Sequence, residues 1–305
     1  MPEQFCRISP EIELCYETFG DPSDPTALLV MGLATQMIAW PDEFCEELAA
    51  RGFHAVRFDN RDIGKSTHIA ARPPKLSQLL RRSKRAASYT LTDMANDAGG
   101  LLQELDLAPA HVIGASMGGM IAQTLAAERP DLVLSLTSIM ATTGNRWVGQ
   151  PALRLLPMLA SRPAGSRQEA IERSDRIFTM VGSRGLPRDM DHVRDVAGRS
   201  YDRGRGDGAG QARQLAAVIA SGDRTRELHR ITAPTLVIHG TDDRLIRPSG
   251  GRATARAIPG ARLLTIEGMG HDLPRAAWTR MIDAIVENAG RAERGRSAVV
   301  GEARV

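Results

Sequence analysis

Short, mostly apolar runs recur along the chain between longer segments in which apolar residues follow helical spacing. Such runs are typical of strands that are buried on both faces of a parallel sheet. They cover residues 27–31, 54–58, 110–113, 132–140, 234–240 and 261–266. Residues 11–19 instead alternate, with Ile12, Leu14 and Tyr16 on one face. This alternation predicts an antiparallel, half-exposed strand ahead of the parallel ones.

Helical patterns lie between these predicted strands. They cover residues 41–51, 89–105, 117–128, 249–258 and 275–289. Strands that alternate with helices in this way form βαβ units, so the sequence predicts an α/β fold with a mostly parallel central sheet flanked by helices.

The pattern changes between residues 146 and 227, where prolines separate short helical segments and no strand pattern is visible. We interpret this segment as an all-helical cap over the carboxyl edge of the sheet, where open α/β folds bind their ligands. The predicted core is then formed by residues 1–145 and 228–290. Residues 291–305 are predicted to form a disordered tail.

The 305 residues, 42% of them hydrophobic, are sufficient for a large core. No apolar stretch approaches the 18 residues of a membrane span, and residues 1–7 lack the features of a signal peptide. The chain has three cysteines, Cys6, Cys15 and Cys45. Because their number is odd and their spacing is not that of a metal site, we expect reduced thiols. We therefore predict a cytoplasmic protein.

The net charge of +3 is small, and no aromatic and basic platform or known DNA- or RNA-binding motif accompanies it. Nucleic acid is therefore not an expected partner. Residues 67–90 contain six basic residues, all between 72 and 85, and no acidic ones. We favour a solvated, mobile loop here. The alternative is a lid or a peripheral contact of residues 72–85 with an anionic membrane surface.

Residues 59–66, with the sequence DNRDIGKS, contain the Gly-Lys-Ser of a phosphate-binding loop. That loop requires a glycine five residues before Gly64, and the residue there is Asp59. We therefore reject a phosphate-binding function. A polar loop at the carboxyl end of a strand could instead line a site or brace neighbouring segments through Arg61.

Residues 114–118 have the pattern Gly-x-Ser-x-Gly, after an apolar strand and before a helix. In such an elbow the serine lies in a sharp turn that exposes its hydroxyl, and the close approach of strand and helix excludes side chains two residues before and after. Ser116 is thus a candidate nucleophile. The Met117 N–H, at the positive end of the helix, is a candidate donor to an oxyanion.

A serine hydroxyl needs an imidazole base, and the imidazole needs a carboxylate that orients it. His271 is the candidate base because it follows the last predicted strand in a glycine-rich loop. Asp243 or its neighbour Asp242 follows the strand at 234–240. The loop after the strand at 132–140 carries no acid. The chain order is then serine, aspartate, histidine.

Six stretches at predicted strand ends carry a resemblance to a known family. They are 30–33 (VMGL), 40–41 (WP), 59–66 (DNRDIGKS), 114–119 (GASMGG), 239–243 (HGTDD) and 268–271 (GMGH). Together they resemble the α/β-hydrolase superfamily, in particular the branch that holds aclacinomycin methylesterase and related bacterial carboxylesterases. The resemblance covers roughly residues 11–289, and the cap only loosely.

This resemblance implies an α/β-hydrolase fold with an inserted cap and a triad of Ser116, Asp243 and His271. It places the acid three residues after Gly240, which selects Asp243 over Asp242. It also assigns the second oxyanion donor to the backbone N–H of Leu33. The loop there begins Met31-Gly32 instead of the superfamily's usual His-Gly.

The predicted function is hydrolysis of a small-molecule carboxylic ester, expected to be apolar, through an acyl-enzyme, without a metal or cofactor. The same triad could instead act on carbon–carbon bonds or thioesters, or perform cofactor-free perhydrolysis. A non-catalytic ligand receptor on the same fold is the alternative from a different class. The sequence does not identify the substrate, because the cap determines which substrate can bind.

Overall fold

Eight strands form one sheet in the part of the chain that the computed structural model describes, namely residues 2–81, 83–152, 155, 164–204 and 208–302. Of residues 76, 80 and 295–302 only the backbone is described. The strands are β1 Gln4–Arg7, β2 Glu13–Phe19, β3 Thr26–Val30, β4 His54–Phe58, β5 Ala110–Ala115, β6 Val133–Ile139, β7 Thr235–Gly240 and β8 Arg262–Ile266.

The strand order in the sheet is β1-β2-β4-β3-β5-β6-β7-β8. The first two strands pair antiparallel with each other, and β2 pairs antiparallel with β4. All other neighbours are parallel, as the apolar runs predicted. Strand β1 was not predicted, since only Cys6 of its four residues is buried.

The prediction that the strand near residues 11–19 is half-exposed is wrong, because both of its faces are covered. Leu14 and Tyr16 pack into the main hydrophobic core. On the opposite face, Cys15 is fully buried against Met37 and Ile38. The loop that carries these two residues covers the second face, and sequence alternation cannot reveal a loop that folds back from elsewhere in the chain.

Helices lie on both faces of the sheet. The described α-helices, including those of the predicted cap, are α1 Asp42–Ala50, α2 Leu76–Leu80, α3 Leu91–Glu104, α4 Met117–Glu128, α5 Arg167–Val181, α6 Met190–Arg203, α7 Gly208–Ser221, α8 Thr225–Leu228, α9 Ser249–Ala257 and α10 Trp278–Glu302. Leu28 packs with residues of α3 and α4, and its neighbour Leu29 with residues of α1 and α10. Successive strand residues therefore face opposite helical layers.

The predicted cap, residues 146–227, contains α5, α6 and α7, and no strand occurs in its described residues. Its exact boundaries stay predictions. The predicted end of the last helix near residue 289 is wrong, because α10 continues through Gly290 to Glu302. Ala289 and Ala292 are both buried, so the apolar face of the helix extends into the segment that we expected to be a disordered tail.

The basic segment forms the short helix α2 and a 3₁₀ turn at residues 84–86, and both contact α7 of the cap. Its basic side chains within the described residues are exposed, and Arg82 lies outside that part. A solvated, mobile loop stays our prediction for this segment, and a lid or a membrane contact stays the alternative. No described helix combines the length and the hydrophobicity that a membrane crossing requires.

His111 on β5 gives the fold a predicted pH dependence. Its side chain is buried beside Phe53 and bonds Ser135 Oγ at 2.8 Å, and burial lowers the pKa of His111 to about 4. The folded protein then binds fewer protons than the unfolded chain between about pH 6.5 and pH 4, so stability falls as the pH falls through this window. This histidine alone would lower the free energy of unfolding by up to about 3 kcal/mol.

We expect His111→Gln to remove this contribution. Urea unfolding at pH 7 and pH 4.5 should give a smaller difference in the free energy of unfolding for the variant than for the unsubstituted protein. An equal pH difference in the two proteins would show that His111 is not responsible.

Candidate active site

Ser116 lies at the turn between β5 and α4, where the sequence predicted a nucleophile elbow. Its φ of 57° and ψ of −119° are strained for a residue with a side chain. A Cβ at Gly114 would lie 2.2 Å from Gly118 O, and a Cβ at Gly118 would lie 2.0 Å from Val30 O. Both positions therefore require glycine, which is the physical reason for the spacing of the motif.

The structure brings Ser116, His271 and Asp243 into one hydrogen-bonded chain. His271 Nε2 lies 3.0 Å from Ser116 Oγ, and His271 Nδ1 lies 2.8 Å from Asp243 Oδ2. The three residues follow β5, β8 and β7 respectively, and the carboxyl ends of parallel strands share one edge of the sheet. The imidazole can therefore accept a proton from the serine while the carboxylate faces its other nitrogen.

The Asp243 carboxylate is fully buried and is bonded from two sides. Its Oδ1 accepts the backbone N–H groups of Leu245 at 2.9 Å and Ile246 at 2.8 Å. Burial by itself would raise the pKa of Asp243, but interactions with His271 and His239 outweigh it and lower this pKa to about 2. The carboxylate therefore stays ionised at neutral pH and can stabilise a charged imidazole.

Asp242 takes a different position. Its backbone N–H donates to Met269 O at 2.9 Å, and its partly exposed side chain accepts a bond from Thr241 Oγ1 at 3.4 Å. Of the two adjacent acids, Asp243 is the one that the structure brings to His271.

His239 on β7 supports the same acid from the side of the sheet. Its Nε2 bonds Ile246 O at 2.8 Å. The same nitrogen lies 3.5 Å from Asp243 Oδ2. A Cβ at Gly251 of α9 would lie 2.5 Å from the His239 ring, so the helix packs directly on the imidazole.

The two predicted oxyanion donors lie beside the serine. Met117 begins α4, where the helix dipole is positive, and a Cβ at Gly32 would lie 3.2 Å from Ser116 Cβ. The Leu33 amide follows this glycine directly. Within the described residues, neither the Leu33 nor the Met117 N–H donates a hydrogen bond to the protein. Both amides are thus available to a developing negative charge.

Sequence reasoning missed Gln214, a fully buried residue on α7 of the cap. Its Oε1 accepts the Ala34 N–H at 2.8 Å, and its Nε2 donates to Arg61 O at 2.8 Å. Ala34 follows Leu33 in the loop and has a φ of 56°. A cap residue therefore fastens the oxyanion loop, and no local pattern indicates this because the partners are 180 positions apart.

The loop at residues 59–66 anchors the cap. Arg203 of α6 donates to Asp59 Oδ2 at 3.0 Å, and Arg213 of α7 donates to both carboxylate oxygens of Asp62 at 2.7 and 2.8 Å. Arg61 bonds both oxygens of Asp97 on α3 at 2.5 and 2.6 Å, as the bracing interpretation predicted. These contacts explain why the loop is polar.

Replacing Arg213 by leucine should destabilise the protein strongly. Both charges are buried, with the Asp62 side chain 0% and the Arg213 side chain 3% exposed, so the substitution leaves a buried carboxylate without its cation. We expect a loss of about 3–5 kcal/mol in the free energy of unfolding by urea. The double variant Arg213→Leu, Asp62→Leu should recover part of this loss, and equal instability of both variants would contradict the ion-pair explanation.

The described residues contain no group of three or more histidine, cysteine, aspartate or glutamate side chains arranged to bind a metal ion.

Residues 25–274 match the alpha/beta hydrolase fold family, and the chain belongs to this family. It is 32% identical over 303 residues to rhodomycin D methylesterase DauP of Streptomyces sp. (strain C5), covering 90% of this chain and 94% of that protein. It is 31% identical over 303 residues to rhodomycin D methylesterase DnrP of Streptomyces peucetius, again covering 90% of this chain and 94% of that protein.

Among solved structures, the enol-lactonase from Burkholderia xenovorans LB400 matches with a TM-score of 0.68 and 23% identity, covering 96% of this chain and all of that one. This likeness concerns the fold. The predicted fold class and the resemblance to the methylesterase branch are both confirmed. The two methylesterase relatives support the assignment of the chain to the carboxylic ester hydrolases.

Proposed function

We propose that the protein is a serine hydrolase that cleaves a small-molecule carboxylic ester through an acyl-enzyme intermediate. The observation that carries this proposal is the hydrogen-bonded chain from Ser116 Oγ through the His271 ring to the buried Asp243 carboxylate. The hydroxyl proton of Ser116 can pass to His271 Nε2, and Asp243 bonds the other ring nitrogen. Ser116 is therefore the proposed nucleophile, His271 the general base and Asp243 the orienting acid.

In the first half of the reaction, Ser116 Oγ attacks the ester carbonyl while His271 Nε2 accepts the hydroxyl proton. The carbonyl oxygen gains negative charge and is stabilised by the N–H groups of Leu33 and Met117. Asp243 stabilises the resulting imidazolium through Nδ1–H. His271 then donates its proton to the departing alkoxide, which leaves as an alcohol. The acyl group remains bonded to Ser116 Oγ as the acyl-enzyme.

In the second half, a water molecule takes the place of the alcohol beside His271. The imidazole removes a proton from this water, which attacks the acyl carbon, and the second tetrahedral intermediate is stabilised by the same two amides. Return of the proton to Ser116 Oγ releases the carboxylic acid and restores the free enzyme.

The leaving group is proposed to be a small alcohol, with methanol as the first choice. Two relatives are named methylesterases, and their similarity extends over 90% of this chain, including most of the cap. The acid component is proposed to contact the predicted cap, of which residues 153, 154, 156–163 and 205–207 lie outside the described part. We therefore propose an ester of a small alcohol. The preferred acid component is what the following experiment measures.

The test is hydrolysis of p-nitrophenyl esters of increasing acyl length, alongside methyl esters of apolar carboxylic acids. We expect turnover of both sets, a burst of p-nitrophenol equal to the enzyme concentration when deacylation is slow, and no effect of a metal chelator. Cleavage of diketones or formation of peracids without ester turnover would favour one of the alternative reactions. Ligand binding without any turnover would favour the receptor.

A further inference from the structure

The cap meets the loop that carries His271 at one point of dense hydrogen bonding. Val181, the last residue of α5, and residues 182–185 after it lie directly against residues 268–272, which follow β8. The close approach involves glycines on both sides: a Cβ on Gly270 would lie 2.5 Å from Val181 O, and a Cβ on Gly185 would lie 2.7 Å from Gly268 Cα. The two backbones therefore pack together without intervening side chains.

Ser183 is at the centre of this contact and is fully buried. Its Oγ accepts the Gly270 N–H at 2.9 Å and donates to Asp272 Oδ1 at 2.6 Å. The Ser183 N–H also faces the Asp272 carboxylate, at 3.0 and 3.1 Å from its two oxygens. One cap residue thus bonds the residues immediately before and after His271.

The backbone of His271 is bonded to the same segment, because its N–H donates to Val181 O at 2.8 Å. Asp243 limits the rotation of the ring through Nδ1, but it does not determine where the backbone of the histidine lies. The bonds from residues 181–183 hold the backbone at positions 270 and 271, while the Asp242 N–H holds Met269 O on the side of the core. The distance from Nε2 to Ser116 Oγ depends on both constraints, and a misplacement of about 1 Å can cost about 100-fold in rate.

We propose that Ser183 is a positioning residue for His271, acting through the Gly270 N–H and the Asp272 carboxylate. This inference rests on the proposed function of His271 as general base. It means that a segment of the predicted cap holds the base in reach of the nucleophile. The carboxylate of Asp272 orients the Ser183 hydroxyl so that its lone pair faces Gly270 N–H.

The chain supplies a matched control in Ser221, the last residue of α7. Its Oγ accepts the Leu91 N–H of α3 at 2.9 Å and donates to Ala217 O at 2.8 Å. Ser221→Ala therefore removes a serine-to-amide bond between cap and core of the same kind, at the amino end of α3 and without a contact to the His271 loop. Any general effect of loosening the cap should appear in both alanine variants.

The experiment compares Ser183→Ala, Asp272→Asn and Ser221→Ala with the unsubstituted protein. We expect Ser183→Ala to lower kcat by about 10- to 100-fold with KM within about threefold, Asp272→Asn to lower kcat by about 3- to 10-fold, and Ser221→Ala to leave kcat unchanged. A second readout is the rate at which a fluorophosphonate labels Ser116, which should fall in parallel because the attack needs His271 as base but no acyl substrate.

Three results would overturn the proposal: an unchanged kcat in Ser183→Ala, a raised KM with kcat intact, or equal losses in Ser183→Ala and Ser221→Ala. If Ser183→Ala does not fold, Asp272→Asn decides, and unchanged kcat and labelling in that variant would equally overturn it. Failure of the proposed function is distinguishable, because an unsubstituted protein that cleaves no ester would still report on His271 through the labelling rate.

Discussion

Replacing Ser116 by alanine is expected to lower kcat for ester hydrolysis by about 10⁶-fold, the loss that a serine protease shows when its catalytic serine or histidine is removed. The loss in kcat is this large because the three groups act as a unit. Without Oγ, no acyl-enzyme forms and His271 has no hydroxyl proton to accept. The elbow should persist, because its strained backbone is enforced by the close packing at Gly114 and Gly118.

The measurement is kcat on a p-nitrophenyl ester, with thermal unfolding as the check of folding. Mass spectrometry after fluorophosphonate treatment should find the label on Ser116 in the unsubstituted protein and no label at this position in the variant. Residual activity above a few per cent, in protein free of contaminating esterase, would rule out Ser116 as the nucleophile.

Asp243→Asn is expected to lower kcat by about 10⁴-fold, the effect of the corresponding change in the serine-protease triad. An asparagine side chain can present an N–H to His271 Nδ1, which favours the tautomer whose proton is on Nε2. That nitrogen then cannot accept the proton of Ser116. Because the pKa of Asp243 is lowered to about 2, the carboxylate stays ionised from pH 4 upward, so acid losses of activity in this range should not arise from this residue.

Asp242→Asn provides the matched control, since it makes the same chemical change one position earlier. Its side chain is partly exposed and contacts Thr241, so we expect at most about a tenfold change in kcat. Both variants are measured at saturating substrate. The reverse ranking would move the acid to Asp242, and rates near those of the unsubstituted protein for both would place the third member elsewhere.

Much of the candidate site could be predicted from the sequence because its chemistry is encoded locally. The elbow at residues 114–118 requires two glycines at a set spacing, since a Cβ at Gly114 would meet the backbone of Gly118 and a Cβ at Gly118 would meet the neighbouring strand at Val30. The parallel strands could be predicted for a similar reason. A strand covered by helices on both faces must be apolar throughout, so its own residues record its surroundings.

Other features depend on partners far away in the chain, and local patterns carry no trace of them. The residues of β2 alternate, yet both faces are buried, because a loop some twenty residues later covers Cys15. The final helix continues past Gly290 because its apolar face finds a place on the core. Gln214 and Ser183 look like ordinary polar residues of a helical cap until the fold places them against the oxyanion loop and the His271 loop.

The sequence by itself determined seven of the eight described strands, the elbow and the identity of the candidate nucleophile and base, because steric and burial requirements act on adjacent residues. It restricted the acid to two neighbours, between which the resemblance to a family chose. Only the tertiary structure brought Asp243, and not Asp242, to 2.8 Å from the imidazole and joined the cap to both loops of the site. Those contacts join segments that are far apart in the chain, and the order of residues does not specify the distances between them.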